Sequence, residues 1–123
     1  MLHLLLDDHI SPDVARGLRL TGRKIAVHAL AEWDNGSLLG LDDDAILRES
    51  SAHALTLVTY DRRTIPPLLK AWAETGLKHG GVIFVDDKTI SLADIGGQVK
   101  ALRELVRETG DWDWRDRVCF LRR

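Results

Sequence analysis

Five aspartates stand where apolar runs stop. Asp7 and Asp8 follow Leu4-Leu5-Leu6, Asp61 follows the run from Leu55 to Tyr60, and Asp86 and Asp87 follow Val82 to Val85. A further acidic run, Asp42-Asp43-Asp44, leads into Ala45-Ile46-Leu47. Carboxylates gathered at one place repel, by about 4 kcal/mol per pair at ~4 Å and an effective dielectric near 20. A raised pKa, a basic neighbour or a bound cation must compensate. Oxygen donors without a cysteine or a paired histidine suit Mg²⁺ or Mn²⁺. A cation held this way activates water and neutralises a phosphate, which is the chemistry of phosphodiester hydrolysis.

The elements that would position these acids follow from patterning. Residues 2–6 read as a strand buried on both faces of a parallel sheet. Ser11 caps a helix over residues 11–21, with Pro12 at its first position, Asp13 in its first turn and Val14, Ala15 and Leu18 turned inward. Residues 24–30 alternate as a second strand, and Asp34-Asn35-Gly36-Ser37 marks a loop. Asp42 caps a helix reaching about His53, with Asp44 serving its start. Residues 55–59 form a third strand, and Pro66-Pro67 opens a helix that stops near Gly76. Residues 81–85 form a fourth strand. Ser91 caps the longest helix, with Leu92, Ile95, Val99, Leu102, Leu105 and Val106 at helical spacing, and Gly110 ends it. Residues 118–121 form a last short strand.

Strand and helix alternate throughout, which predicts a single-domain, three-layer α/β/α fold over residues 1–123 with a mainly parallel sheet of about five strands. If the second and third strands flank the first, Asp7 and Asp61 face each other at a topological switch point, where open α/β sheets bind ligands. Asp43 would close the cluster from above. Asp8 stands beside it as a fourth candidate ligand.

Composition bounds the rest. The chain has 123 residues, 45% apolar and 29% charged, with a formal charge of −2, so nucleic-acid binding would need a local basic patch. Cys119 is the only cysteine, which excludes an internal disulfide and a thiolate metal centre. With no basic leader and no long apolar run, the expectation is a cytoplasmic protein without a membrane span.

Leu5-Leu6-Asp7-Asp8, followed by Ile10-Ser11-Pro12, resembles the opening of short PIN-like domains, predicted nucleases of the toxin–antitoxin kind. In that family an aspartate opening a helix precedes, by about sixteen residues, a strand ending in a Val-Thr-x-Asp motif. Here Asp43 and Val58-Thr59-Tyr60-Asp61 stand at that spacing. The likeness covers the chain to about residue 90. It implies a PIN-like fold, a divalent metal held by Asp7, Asp43 and Asp61 with Asp8 beside them, and RNA phosphodiester hydrolysis. It also implies an antitoxin protein as partner. The motif's second acid falls on Arg63, its phenylalanine on Thr64, and Tyr60 replaces its histidine.

Several residues carry two readings each. Ser11 binds a phosphate or only caps its helix. Thr59 orients Asp61 or is only a β-branched strand residue. Arg16, Arg19, Arg23, Arg62 and Arg63 form a basic rim for RNA, or they are solvated faces. Trp33, Trp112 and Trp114 stack on bases, or pack at an interface such as a homodimer. Two alternatives to the nuclease stand beside it. One is a catalytically inactive PIN-like domain that binds RNA or protein, which Arg63 favours. The other is a receiver-like phosphoacceptor with Asp61 as acceptor, although Lys88 and Thr89 fall together in one loop.

Overall fold

A computed structural model describes residues 2–21 and 25–122. Arg23 of the expected basic rim, the Gly22 helix stop and Lys24 at the start of the expected second strand lie outside the described residues.

The elements run β1 (His3–Leu6), α1 (Pro12–Arg19), β2 (Ala26–Ala29), a 3-10 turn (Trp33–Gly36), α2 (Asp43–Ala52), β3 (Thr56–Thr59), α3 (Ile65–Glu74), β4 (Val82–Phe84), α4 (Ile95–Thr109) and β5 (Val118–Phe120). All four strand pairings are parallel, in the order β2-β1-β3-β4-β5. The expected three-layer α/β/α architecture is the one observed, with β1 between β2 and β3.

Alternation along β1 divides the core. Leu4 and Leu6 pack with Val14, Ala15 and Leu18 of α1 and with Ala101 and Leu102 of α4. Leu5 packs on the other face with Ile46 and Leu47 of α2 and with Ile65 and Trp72 of α3. All three leucines are fully buried, which is why this run carries no polar residue before Asp7. Helices α1 and α4 approach closely at Gly17, where a Cβ would lie 2.7 Å from Val99 Cγ2.

Some boundaries differ from expectation. The longest helix starts at Ile95 under an Asp94 cap, three residues beyond Ser91, whose hydroxyl closes a separate turn by accepting from Ala93 N–H. Leu92 is therefore outside the helix. Gly81 precedes β4 with φ +104°, a conformation that breaks the strand's regular geometry there. Trp114 is buried and donates its indole N–H to the Thr109 carbonyl, so it packs. Trp112 is exposed, with the Arg117 guanidinium 4.6 Å from its ring. Trp33 packs edge-on against His28 and His53. Among the described residues no helix is long and apolar enough to cross a membrane.

Candidate active site

The switch point between β1 and β3 brings three of the predicted acids together. Asp7 continues β1 and donates its backbone N–H to the Val58 carbonyl of β3 at 2.9 Å. Its carboxylate is buried and has two donors: Asp8 N–H reaches one oxygen at 2.8 Å, and the Thr59 hydroxyl reaches the other at 2.5 Å. Thr59 Oγ1 in turn accepts from Asp61 N–H at 3.0 Å. One hydroxyl thus links Asp7 to Asp61, so Thr59 positions both acids. Its place two residues before Asp61 is the spacing at which a threonine hydroxyl meets a backbone N–H, a signal present in the sequence.

Asp61 sits where β3 ends and α3 has yet to begin. The helix has no capping side chain of its own at Thr64. Instead one Asp61 oxygen accepts from Arg63 N–H and Thr64 N–H, both at 2.9 Å. Burial pushes the Asp61 carboxyl up. The Thr64 and Arg63 amides, with the Thr64 and Asp43 side chains, outweigh that and hold it below the usual carboxylate range.

The three acids that open α2 have separate tasks. Asp42 caps the helix by accepting from Ala45 N–H at 2.8 Å. Asp44 accepts from Arg48 at 2.7 Å and from the Trp72 indole at 2.9 Å, which ties α2 to α3 beyond its role at the helix start. Asp43 is left to face Asp61 in hydrogen-bonding contact. Burial raises its pKa first, and the charges of Asp61 and Asp7 raise it further. Asp43 is therefore the member of the pair that holds a proton most readily.

Asp7, Asp43 and Asp61 line a pocket of about 240 Å³, with exposed Asp8 at its wall and Leu38 and Leu41 beside it. Asp61 also borders a second pocket of about 530 Å³ that includes His9, Tyr60, Arg62, Arg63 and Lys88. Arg62 is engaged there by Asp86 at 2.9 Å. Arg63 is exposed and, among the described residues, has no ion-pair partner within 4.0 Å.

Other candidates lie elsewhere. Ser11 accepts from Asp13 N–H as the cap of α1 and does not line the acidic pocket. Arg16 pairs with Asp13, and Arg19 bonds the Val27 carbonyl, so neither joins a rim at the acids.

The donor set is all oxygen, which fits a hard cation rather than zinc. Among the described residues, no group of three or more His, Cys, Asp or Glu side chains is drawn close enough to hold a metal ion as it stands. The site is two carboxylates in contact with a third set back on the strand. That arrangement suits an ion that keeps several of its waters, as Mg²⁺ does. Comparison of the chain with protein-family models, with curated proteins and with solved structures gave no match.

Proposed function

We propose that this chain is a PIN-like, metal-dependent ribonuclease that hydrolyses RNA phosphodiesters, the toxin member of a toxin–antitoxin pair. The observation that carries the reading is the contact between Asp43 and Asp61 beside buried Asp7 at the sheet's switch point. Two carboxylates in contact call for a shared proton, a basic neighbour or a cation, and a cation site with Arg63 near Asp61 suits a phosphate ester. Asp43 and Asp61 would hold Mg²⁺ or Mn²⁺, with Asp7 behind them. When bound, the ion would supply a more acidic water and neutralise phosphate charge.

The remaining work falls to the chain's own groups. Thr59 holds Asp7 and the Asp61 backbone in register. The α3 amides keep Asp61 ionised, ready to accept a proton or a cation. Arg63 offers a guanidinium on the far side of Asp61, where an RNA phosphate would approach.

A second reading is a PIN-like domain that binds RNA or protein without cutting. It is favoured by Arg63 standing where the resemblance puts an acid, and by the absence of a ready three-acid centre among the described residues. Labelled RNA incubated with the protein and Mn²⁺ or Mg²⁺, then with EDTA, beside Asp7→Asn, separates the two. Cleavage that needs metal and Asp7 supports the nuclease. Retention of uncut RNA supports the second reading. Phosphorylation of Asp61 by acetyl phosphate would instead support the receiver-like alternative. Equal cleavage by Asp7→Asn and wild type would sink the site assignment.

A further inference from the structure

Asp61 stands between two pockets on opposite faces of the sheet edge. The acidic pocket of about 240 Å³ is walled by Leu30, Leu38 and Ile46, which belong to the core under α2 and α3. The larger pocket of about 530 Å³ is walled by Tyr60 and Val85, which belong to the core under α1 and α4, and by exposed Leu92. That volume lies within the range of small-ligand sites, ~300–1,000 Å³. The Tyr60 hydroxyl donates to the Ile90 carbonyl at 2.9 Å, which fixes the ring in the wall. Charge in the lining is only partly spent. Asp86 is taken by Arg62 at 2.9 Å and by Lys88 N–H at 2.9 Å. Arg63 and Lys88 remain, both exposed and, among the described residues, neither with an ion-pair partner within 4.0 Å. Asp87 is the one further carboxylate of the lining besides Asp61, and it too has no such partner among the described residues.

We propose that this larger pocket holds one nucleotide of the RNA, with its phosphate on Arg63 and Lys88 and its base against Tyr60 and Leu92. The inference rests on the reading of the acids as the cutting site and names what occupies the space beside it. An apolar wall alone would suit any oily ligand, and two unpaired cations alone would suit any anion. The two in one cavity suit a molecule that joins a flat, weakly polar body to a phosphate. Unstacked bases of single-stranded RNA lie against aromatic and apolar side chains in this way. Asp87 supplies an acceptor for the amino group of a base, as carboxylates do. Because Asp61 borders both pockets, an RNA with one phosphate at the acids enters the larger pocket by passing that single side chain. The nucleotide held there is therefore a neighbour of the cut rather than a remote part of the strand.

Titration of the full chain with adenosine monophosphate in EDTA, followed by amide NMR, tests this without any metal-dependent cleavage. Shifts are expected at the amides of Asp61, Arg63, Asp87 and Lys88. Lys88→Ala is expected to weaken binding of the nucleotide about fivefold, and of inorganic phosphate by a similar factor. Leu92→Ala is expected to weaken the nucleotide and leave inorganic phosphate unchanged. Both positions are exposed and lie in turns, so unchanged thermal melting is expected of each variant. A chain that binds the nucleotide at these amides but cuts no RNA with Mn²⁺ keeps the subsite and loses the nuclease reading. Absence of shifts at these amides overturns the subsite, and RNA cutting by the same protein would leave the nuclease reading standing. Equal affinity for the nucleotide and for inorganic phosphate, unmoved by Leu92→Ala, overturns it as well.

Discussion

The Thr59 hydroxyl donates to the Asp7 carboxylate at 2.5 Å and joins two strands that neighbour each other only because the sheet order reverses at β1. Thr59→Val keeps the shape but leaves a buried carboxylate oxygen and the Asp61 amide without this partner. The expected cost is about 1–3 kcal/mol in urea unfolding. Metal-dependent RNA cleavage is expected to fall at least about tenfold, while Thr59→Ser retains most of it.

Asp43 faces Asp61 at the cost of stability. Its pKa is raised by burial and then by the neighbouring acids, so the folded state binds its proton more tightly than the unfolded chain does. The penalty is absent below the unfolded pKa near 3.8 and is fully present above the folded value. Asp43→Asn is therefore expected to raise Tm by a few degrees at neutral pH without metal, with the gain disappearing in acid. Added Mn²⁺ should raise the wild-type Tm and leave the variant's unchanged, as read by differential scanning fluorimetry.

Histidines set an opposite pH dependence. His3 is lowered by burial and by His28, and His28 is lowered by burial and by Arg19, against Glu32. Both are depressed in the fold, so their contribution is complete above the unfolded pKa of 6.5 and is lost as pH falls from there through the folded values. His3 also has a buried Nε2 without a hydrogen-bond partner among the described residues. His3→Leu is expected to flatten the fall in Tm between about pH 7 and pH 5, measured by thermal unfolding across that range.

Gly81 and Gly76 both have positive φ, at +104° and +76°. A Cβ at Gly81 would lie 2.7 Å from the Trp114 carbonyl oxygen, whereas no atom of the described residues lies within 4 Å of one at Gly76. Gly81→Ala is expected to cost about 2–3 kcal/mol and Gly76→Ala about 1, the difference being the collision rather than the backbone. Denaturant midpoints of the two variants test this.

Arg63 has no ion-pair partner within 4.0 Å among the described residues, while Arg62 is held by Asp86. Arg63→Ala is expected to weaken RNA binding uniformly across sequences and to reduce the slope of log affinity against log salt by about one. Arg62→Ala should change the slope less. Filter binding over a salt series reads both.

Much of this arrangement was legible in the residues, because it depends on local chemistry. The all-apolar Leu4-Leu5-Leu6 run marks a central strand, Ser11 and Asp42 mark caps, and Asp7, Asp43 and Asp61 fall at element ends. Position across the sheet was less legible. Nothing within α2 says that Asp44 bonds the Trp72 indole on α3, and nothing near Arg62 says that Asp86 holds it. Helical spacing continues back through Leu92, so periodicity alone starts α4 too early. Asp94 accepting from Gly97 N–H is what fixes the true start. The gathering of His28 and His53 around Trp33 joins a strand, a helix and a turn, a juxtaposition that only the closed fold supplies.

Because β1 pairs with β3 rather than with β2 alone, the acidic pocket is closed by contacts some fifty residues apart in the chain, such as Thr59 with Asp7. Such a seam cannot open by local fraying. Amide protons along it, those of Asp7 and Val58, are expected in the slowest-exchanging class, released when the whole sheet comes apart. Loss of the Asp7–Thr59 floor of the pocket and loss of the fold are then expected to be a single event, with no separate melting transition for that floor.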